Sequence, residues 1–406
     1  MTIKHYEVLV TSAHTNGALA VIRSLGSKGL KVTGVSHLKN ANSFYSKHCH
    51  HKIVSPDPEM FPAEYVRFIL KEIQSVHYDA LFPITDTDMY LISKYADEFL
   101  PYIKVAMNEH SKFMKVLDKA ETIKIASKLK VPYPATIILS DISELPEISR
   151  NLTYPMIIKS RQSIYMNSGR ISKGGTIYVS SPEELISEYN NLHEKIPFPL
   201  LQNVVQGEER GVFLLRHDGE LKAIFAHKRL RSVNPLGGAS TLRIGVDIDE
   251  QMKASAIKLL DKLDWEGAAM VEFKLDSHDN TPKLMEINGR FWWSLQLAIA
   301  SGVDFPWLVF KTLLGEDITP VLDYKRGIVC RDLYNDFVYL YNMLFSRDNR
   351  FKYPKRLPAI LEFLKFFGKN LVYDDVCFDD PKLTLHTLLQ IIGLARIRPR
   401  HQEWLQ

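Results

Sequence analysis

The chain has 406 residues, 46% hydrophobic and 24% charged, with 20 glycines and 20 prolines, a globular composition of two or three domains that excludes disorder, a collagen-like chain or a single small module. No run approaches the ~18 consecutive apolar residues of a membrane span, and the start MTIKHYEVLVTSAH lacks the apolar core and cleavage site of an export signal, so a soluble, cytoplasmic protein is expected. The net charge of +4 sits in residues 321–406, where 14 Lys+Arg stand against 10 Asp+Glu; acids such as Asp374, Asp375, Asp379 and Asp380 interrupt the cations, which favours a solvated helical surface over a nucleic-acid partner.

The first hundred residues alternate short apolar runs with amphipathic stretches, the pattern of βαβ units. Tyr6 to Thr11 reads as a strand, Asn16 to Lys28 as a helix and Lys31 to Ser36 as a strand. Pro62 to Val76 follows as a helix, with Ala80 to Ile84 and Val105 to Met107 as further strands. A parallel sheet covered by helices is expected. It is not a nicotinamide site, because only Gly17 stands where GxGxxG needs three glycines and no acid closes the second strand. His48, Cys49, His50 and His51 are adjacent on an extended segment and face alternate sides, and Cys49, Cys330 and Cys377 are too scattered for a disulfide framework or a zinc pattern.

From Asp118 the texture becomes α+β. Asp118 and Glu121 have capping-box spacing and predict a helix over Lys119 to Lys130, ending before Val131-Pro132. Strands are expected at Thr136 to Leu139, Tyr154 to Ser160 and Thr176 to Val179, then a helix capped at Ser181. Leu200 to Gln206, Gly211 to Arg216 and Leu221 to Arg229 read as three strands, the last two joined by a turn at His217 to Glu220. Beyond about residue 318, stretches such as Phe337 to Phe345 and Ala359 to Phe367 read as helices.

The chemistry is concentrated in AAMVEFKLDSHDNTPKLMEINGRFWW, residues 268–293. Both halves alternate apolar and polar residues like strands. A hairpin symmetric about Asp279 sets Leu275 opposite Lys283 and Glu272 opposite Glu286. Directly opposed carboxylates repel, so a cation is wanted between them. Asn288 adds an amide oxygen on the same face and Arg290 a positive charge beyond the strand end; two carboxylates and one amide oxygen, with phosphate and water, suit Mg²⁺ or Mn²⁺.

This acidic strand followed by ExNxR resembles the ATP-grasp superfamily over roughly residues 5–318. The resemblance implies an open parallel-sheet pre-ATP-grasp domain at 1–115, a two-lobed ATP-grasp domain at 116–318 with a mobile lid about 132–202, and a helical extension at 319–406. It casts Lys119 and Lys159 as nucleotide-facing lysines, and the stretch Ser160 to Gly175, with Gly169, Gly174 and Gly175, as a phosphate loop whose amides approach closely. Gln202, Asn203, Val204 and Val205 resemble the adenine hinge, with Glu208 or Glu209 on the ribose. Arg229 and Arg231, followed by Gly237 to Arg243, resemble the segment beside the γ-phosphate. The implied reaction is attack of a small-molecule carboxylate on ATP, giving an acyl phosphate that an amine then displaces. Bicarbonate-using carboxylation and non-catalytic nucleotide binding are the alternatives. Thr85-Asp86, Trp292-Trp293 and the C-terminal helices would set specificity, and a homodimer is left open.

Overall fold

The computed structural model describes residues 5–234, 237–345 and 355–393. The front segment folds as β1 (Glu7–Val10), α1 (Asn16–Ser27), β2 (Lys31–Ser36), β3 (His51–Val54), α2 (Pro62–Ser75), β4 (Ala80–Phe82), α3 (Asp86–Lys94), α4 (Ala96–Phe99) and β5 (Lys104–Val105). The strands pair in parallel in the order β3-β2-β1-β4-β5. Val8 to Val10 and Ala80 to Phe82 are fully buried, as expected for central strands covered on both faces. The strand order reverses between β1 and β4, so the loops after these strands flank a crevice at the carboxyl edge of the sheet. Both loops become helices at once: Thr15 caps α1, and Thr85 with Asp88 forms a reciprocal capping box on α3.

α5 (His110–Leu117) leads into α6 (Lys119–Lys128), whose cap Asp118 accepts from the Ala120 and Glu121 amides. Next come β6 (Thr136–Ile138), α7 (Leu145–Arg150), β7 (Met156–Lys159), β8 (Ile164–Asn167), β9 (Arg170–Lys173), β10 (Thr176–Val179), α8 (Pro182–His193) and β11 (Leu200–Asn203). Four of these strands form an antiparallel sheet, β10-β7-β11-β6. This small lobe has its own core of Met156, Ile158, Val179, Leu185, Tyr189 and Leu201. The expected phosphate loop is instead largely the hairpin β8–β9, turned by Ser168 and Gly169 at φ 47° and 77°, the two left-handed residues of a tight hairpin turn. Ile164 and Ile171 join the buried cluster that holds Tyr65 and Ile69 of α2. The Ile171 amide donates to the Glu59 carbonyl at 2.8 Å, and Lys173 pairs with the Glu59 carboxylate at 3.0 Å. The tip of the small lobe thereby rests on the front domain.

The large sheet follows: β12 (Gly207–His217), β13 (Glu220–Asn234), β14 (Gly237–Gly245), α9 (Glu250–Lys262), β15 (Gly267–Asp276), β16 (Pro282–Asn288), α10 (Leu295–Ala300) and α11 (Phe305–Leu313). The C-terminal segment gives β17 (Val329–Arg331), α12 (Leu333–Phe345), α13 (Arg356–Phe363), β18 (Leu371–Tyr373) and α14 (Pro381–Ile391). This segment is helical as expected, but it also extends the sheet, whose order is β16-β15-β12-β13-β14-β17-β18. Two ionic clusters bind it there. Arg243 pairs with Asp374, and Arg231 and Arg331 share Asp336 at 2.9 and 2.6 Å. The expected helical and basic character of residues 346–354 and 394–406 falls outside the described residues. Among those described, no helix is long and apolar enough to cross a membrane.

Candidate active site

β15 and β16 pair with Glu272 opposite Glu286 and Met270 opposite Asn288, as the sequence predicts. Nearer the turn the prediction is off by one: Lys274, not Leu275, faces Lys283, and Leu275 faces Pro282. The register shifts between Glu272 and Phe273, which leaves Met285 as the extra residue of a bulge on β16. Without it, the ladder running up from the turn would set Met285 against Glu272 and send Glu286 to the opposite face. The bulge therefore creates the carboxylate pair.

Each carboxylate has its own cations. Lys119, at the start of α6, and Lys159, at the end of β7, place their ammonium groups 3.8 and 4.0 Å from Glu286 Oε2. Lys119 also donates to Ser163 Oγ at 3.3 Å. Asn288 Nδ2 donates to Glu286 Oε1 at 3.1 Å, while its Oδ1 accepts from Arg290 Nη2 at 3.2 Å. Arg290 grips Asp86 at the head of α3, with Nε 2.7 Å from Oδ1 and Nη2 3.2 Å from Oδ2. Across the pair, Arg229 on β13 bridges Glu272 at 2.7 Å and Glu209 at 3.1 Å, and Lys274 lies 3.8 Å from Glu209. Three parts of the chain, the front domain, the small lobe and the large sheet, thus meet at one hairpin.

The electrostatics of the two acids differ. Burial pushes the Glu272 carboxyl up; Arg229 opposes this, and the Glu286 and Glu209 carboxylates reinforce it. Burial also disfavours ionised Glu286, but Lys119 and Lys159, helped by the Asn288 amide and Arg290, outweigh it and hold the carboxyl well below the usual range. Burial lowers the Lys159 ammonium despite the pull of Glu286, and Lys119 adds to the lowering.

Among the described residues no group of three or more His, Cys, Asp or Glu side chains could hold a metal. Glu272, Glu286 and Asn288 do fit a hard cation, because they offer oxygen ligands on one face. They supply fewer than the six contacts Mg²⁺ takes, so such an ion would complete its shell with water and phosphate oxygens. A narrow cavity lined by Asp86, Lys119, Ser163, Glu286 and Asn288 opens beside them. A larger one of about 140 Å³ lies beyond Gly289, between Met89, Val105, Met107, Phe291, Val309 and Leu313, with Arg216, His217, Glu266 and Arg290 also on its wall. Gly289 itself allows close packing between Asn288 and Arg290, since an added Cβ would meet the Trp265 ring at 2.3 Å.

The remaining predicted residues divide. Alternation along β12 and its pairing with β15 put Glu209 and Glu272 on one face, whereas Glu208 pairs with Arg210 and Lys228 on the reverse face. Arg231 is turned toward α12, bonded to Asp336 and stacked over Tyr339, and so stands apart from the carboxylate pair it was expected to serve. Gln202 donates to Thr136 Oγ1 at 2.9 Å, Asn203 is exposed, and Val204 and Val205 connect β11 to β12. Gly174 packs against Gln162, where a Cβ would come within 2.3 Å of its carbonyl oxygen, and the Gly175 amide donates to Ser160 Oγ at 2.9 Å. The sequence reading missed Ser163 and Lys274, and it assigned Asp86 only to specificity. Its place directly after a strand at the crevice was the available signal for Asp86.

Residues 195–334, from just before β11 to the start of α12, match the family described as ATP-grasp in the biosynthetic pathway with Ter operon. A D-aspartate ligase of Enterococcus faecium is 21% identical over 211 residues, 49% of this chain and 50% of that one; the chain thus matches about half the length of that curated relative. The L-amino acid ligase structure from Bacillus licheniformis has a TM-score of 0.58 at 15% identity, over 77% of this chain and 75% of that one. N5-carboxyaminoimidazole synthetase from Staphylococcus aureus gives 0.61 at 14% identity over 85% and 86%. A biotin carboxylase complex from Campylobacter jejuni gives 0.63 at 17% over 80% and 74%. The family match thus covers the carboxylate hairpin, and the wider chain shares the fold of these solved structures.

Proposed function

We propose that the protein is a cytoplasmic ATP-dependent ligase that converts a carboxylate to an acyl phosphate and passes the acyl group to an amine, releasing ADP and phosphate. The observation that carries this reading is the bulge-made pair Glu272 and Glu286, flanked by Lys119 and Lys159 on one side and Arg229 on the other. A triphosphate entering from the small lobe meets both lysines first. The backbone at Val204 and Val205 would read adenine. Glu209, being on the same face as the pair, is better placed for the ribose than Glu208.

Phosphoryl transfer needs in-line positioning and stabilisation of charge on the equatorial oxygens. Lys119 and Lys159 would hold phosphate oxygens, and Arg229 and Arg290 would face the transferred group from the large sheet. Glu272, Glu286 and Asn288 would hold Mg²⁺ or Mn²⁺, which when bound neutralises phosphate charge. The carboxylate oxygen attacks the γ-phosphorus, the bond to the β-phosphate oxygen breaks, and ADP leaves. The small lobe, resting on the front domain through Glu59 and Lys173, would shield the acyl phosphate from water. Asp86 orients Arg290 and so ties the front domain to the reacting centre.

The test is phosphate release with D- and L-amino acids as carboxylates, crossed with primary amines and with a bicarbonate arm. Release of ADP and phosphate that depends on both partners supports the ligase. Release with bicarbonate alone would replace it with the carboxylating alternative, and AMP with pyrophosphate would overturn it.

A further inference from the structure

Between α12 and β18 the chain turns a run of apolar side chains outward. On α13, Leu357 and Leu361 are 67% and 57% exposed, Leu364 at its C-cap is 56% exposed, and Phe367 in the following loop is 89% exposed. Single exposed leucines are ordinary, but these four residues lie within one stretch of eleven. At about 100° per residue, Leu357, Leu361 and Leu364 project within an arc of about 60°. Ala359 and Phe363 occupy the opposite face and are buried.

The ridge is fixed from beneath. Arg331 on β17, itself buried, donates through Nη2 to the Phe363 carbonyl at 2.7 Å and through Nη1 to the Lys365 carbonyl at 3.2 Å, so it satisfies carbonyls that a helix end leaves free. Its guanidinium carbon also lies 4.6 and 5.1 Å from the centres of the Phe363 and Phe366 rings. Tyr373 Oη on β18 donates to the Phe366 carbonyl at 2.7 Å. Leu361, Leu364 and Phe367 therefore cannot roll inward without breaking the contacts of a buried arginine.

The charges around the ridge have one sign. Lys355 and Arg356 precede Leu357, Lys365 follows Leu364, and Lys369 lies just beyond Phe367; all four are exposed. Glu362 is the single acid of residues 355–369, and it pairs with Lys365 at 3.3 Å. A protein groove would have to match four separate apolar projections. The fluid boundary of a bilayer receives them singly, while headgroup phosphates meet the flanking cations. We propose that this ridge docks the protein on a membrane surface containing anionic lipids, with the three leucines and Phe367 entering the headgroup boundary and the four cations facing the lipid phosphates. The ligase reading neither supports this surface nor depends on it.

Cosedimentation of the full chain with vesicles tests it. At low salt the protein should pellet with phosphatidylcholine vesicles that contain about one-third phosphatidylserine, stay in solution with pure phosphatidylcholine, and leave the anionic vesicles at about 0.5 M NaCl. Leu361→Ser with Phe367→Ser removes apolar contact, and Arg356→Gln with Lys369→Gln removes charge. Each pair should lower the partition coefficient by about tenfold or more, with Tm and ATP affinity unchanged because all four side chains are exposed and lie outside the carboxylate site. Failure to pellet with anionic vesicles, equal pelleting with neutral ones, or pelleting that neither pair weakens overturns the proposal. So does a wild-type dimer that the serine pair returns to monomer without any vesicle binding, which would make a second copy of the chain the occupant.

Discussion

Replacing Glu286 by glutamine separates two jobs that the structure gives to one carboxylate. In the unliganded protein Glu286 is the counterion of two lysines, 3.8 and 4.0 Å away. At an effective dielectric near 20, each such contact corresponds to about 4 kcal/mol before desolvation is subtracted. Removing one partner of a buried ion pair typically costs about 3 to 5 kcal/mol. Lysine can release its proton, and burial and Lys119 already lower Lys159 against the pull of Glu286, so the lower end applies. A loss of about 3 kcal/mol corresponds to a fall in Tm of roughly 6 to 12 °C for domains of this size. The variant should still be folded at room temperature, where its two lysines keep their attraction for phosphate. Titration with ATP in EDTA should therefore give an affinity equal to or tighter than wild type, while Mg²⁺-dependent turnover falls by about 10³-fold or more. Near-normal turnover, or loss of metal-free ATP binding in a folded variant, would refute the assignment of Glu286 to both roles.

Lys159→Ala should weaken ATP binding in a direct titration by about tenfold or more, as expected for loss of a charge-assisted contact, with a smaller fall in Tm than Glu286→Gln because Glu286 keeps Lys119 as a counterion. Gly289→Ala should destabilise the protein by about 1 to 3 kcal/mol in denaturant melts through overpacking against Trp265, and lower turnover by displacing Arg290. Burial pushes the Asp374 carboxyl up to about 6 from an ordinary 3.8, against the pull of Arg243. A raised folded value means the group's contribution to stability is fully present below 3.8 and is lost as pH rises through about 6. Asp374→Asn, which cannot ionise, should flatten that part of the Tm–pH curve.

Much of the architecture was legible because it is local. Apolar alternation located β1, β2, β4 and β7, and cap chemistry located the starts of α6 and α8. The carboxylate pair was also legible, since alternation on two neighbouring strands set Glu272 against Glu286. The bulge at Met285 was not, because one inserted residue leaves no mark in hydrophobic periodicity; the symmetric hairpin reached the right pair with the wrong register below it. The hairpin β8–β9 was read as a loop because its strands are short and polar, and its two apolar anchors bury against the distant α2. Arg231 was misplaced for a related reason. Its partner Asp336 lies 105 residues away, and side-chain direction at the end of a bulged strand depends on that contact. Asp86 and Arg290, 204 residues apart, meet only because the front sheet and the carboxylate hairpin share the crevice.

The central claim, acyl transfer through a phosphorylated carboxylate, is tested most directly by isotope. With the cognate pair and a carboxylate labelled with ¹⁸O, each turnover should yield ADP, the amide conjugate and one orthophosphate carrying a single ¹⁸O, because the attacking carboxylate oxygen leaves with the phosphoryl group. Orthophosphate without label, or AMP carrying the label with pyrophosphate as co-product, would contradict it.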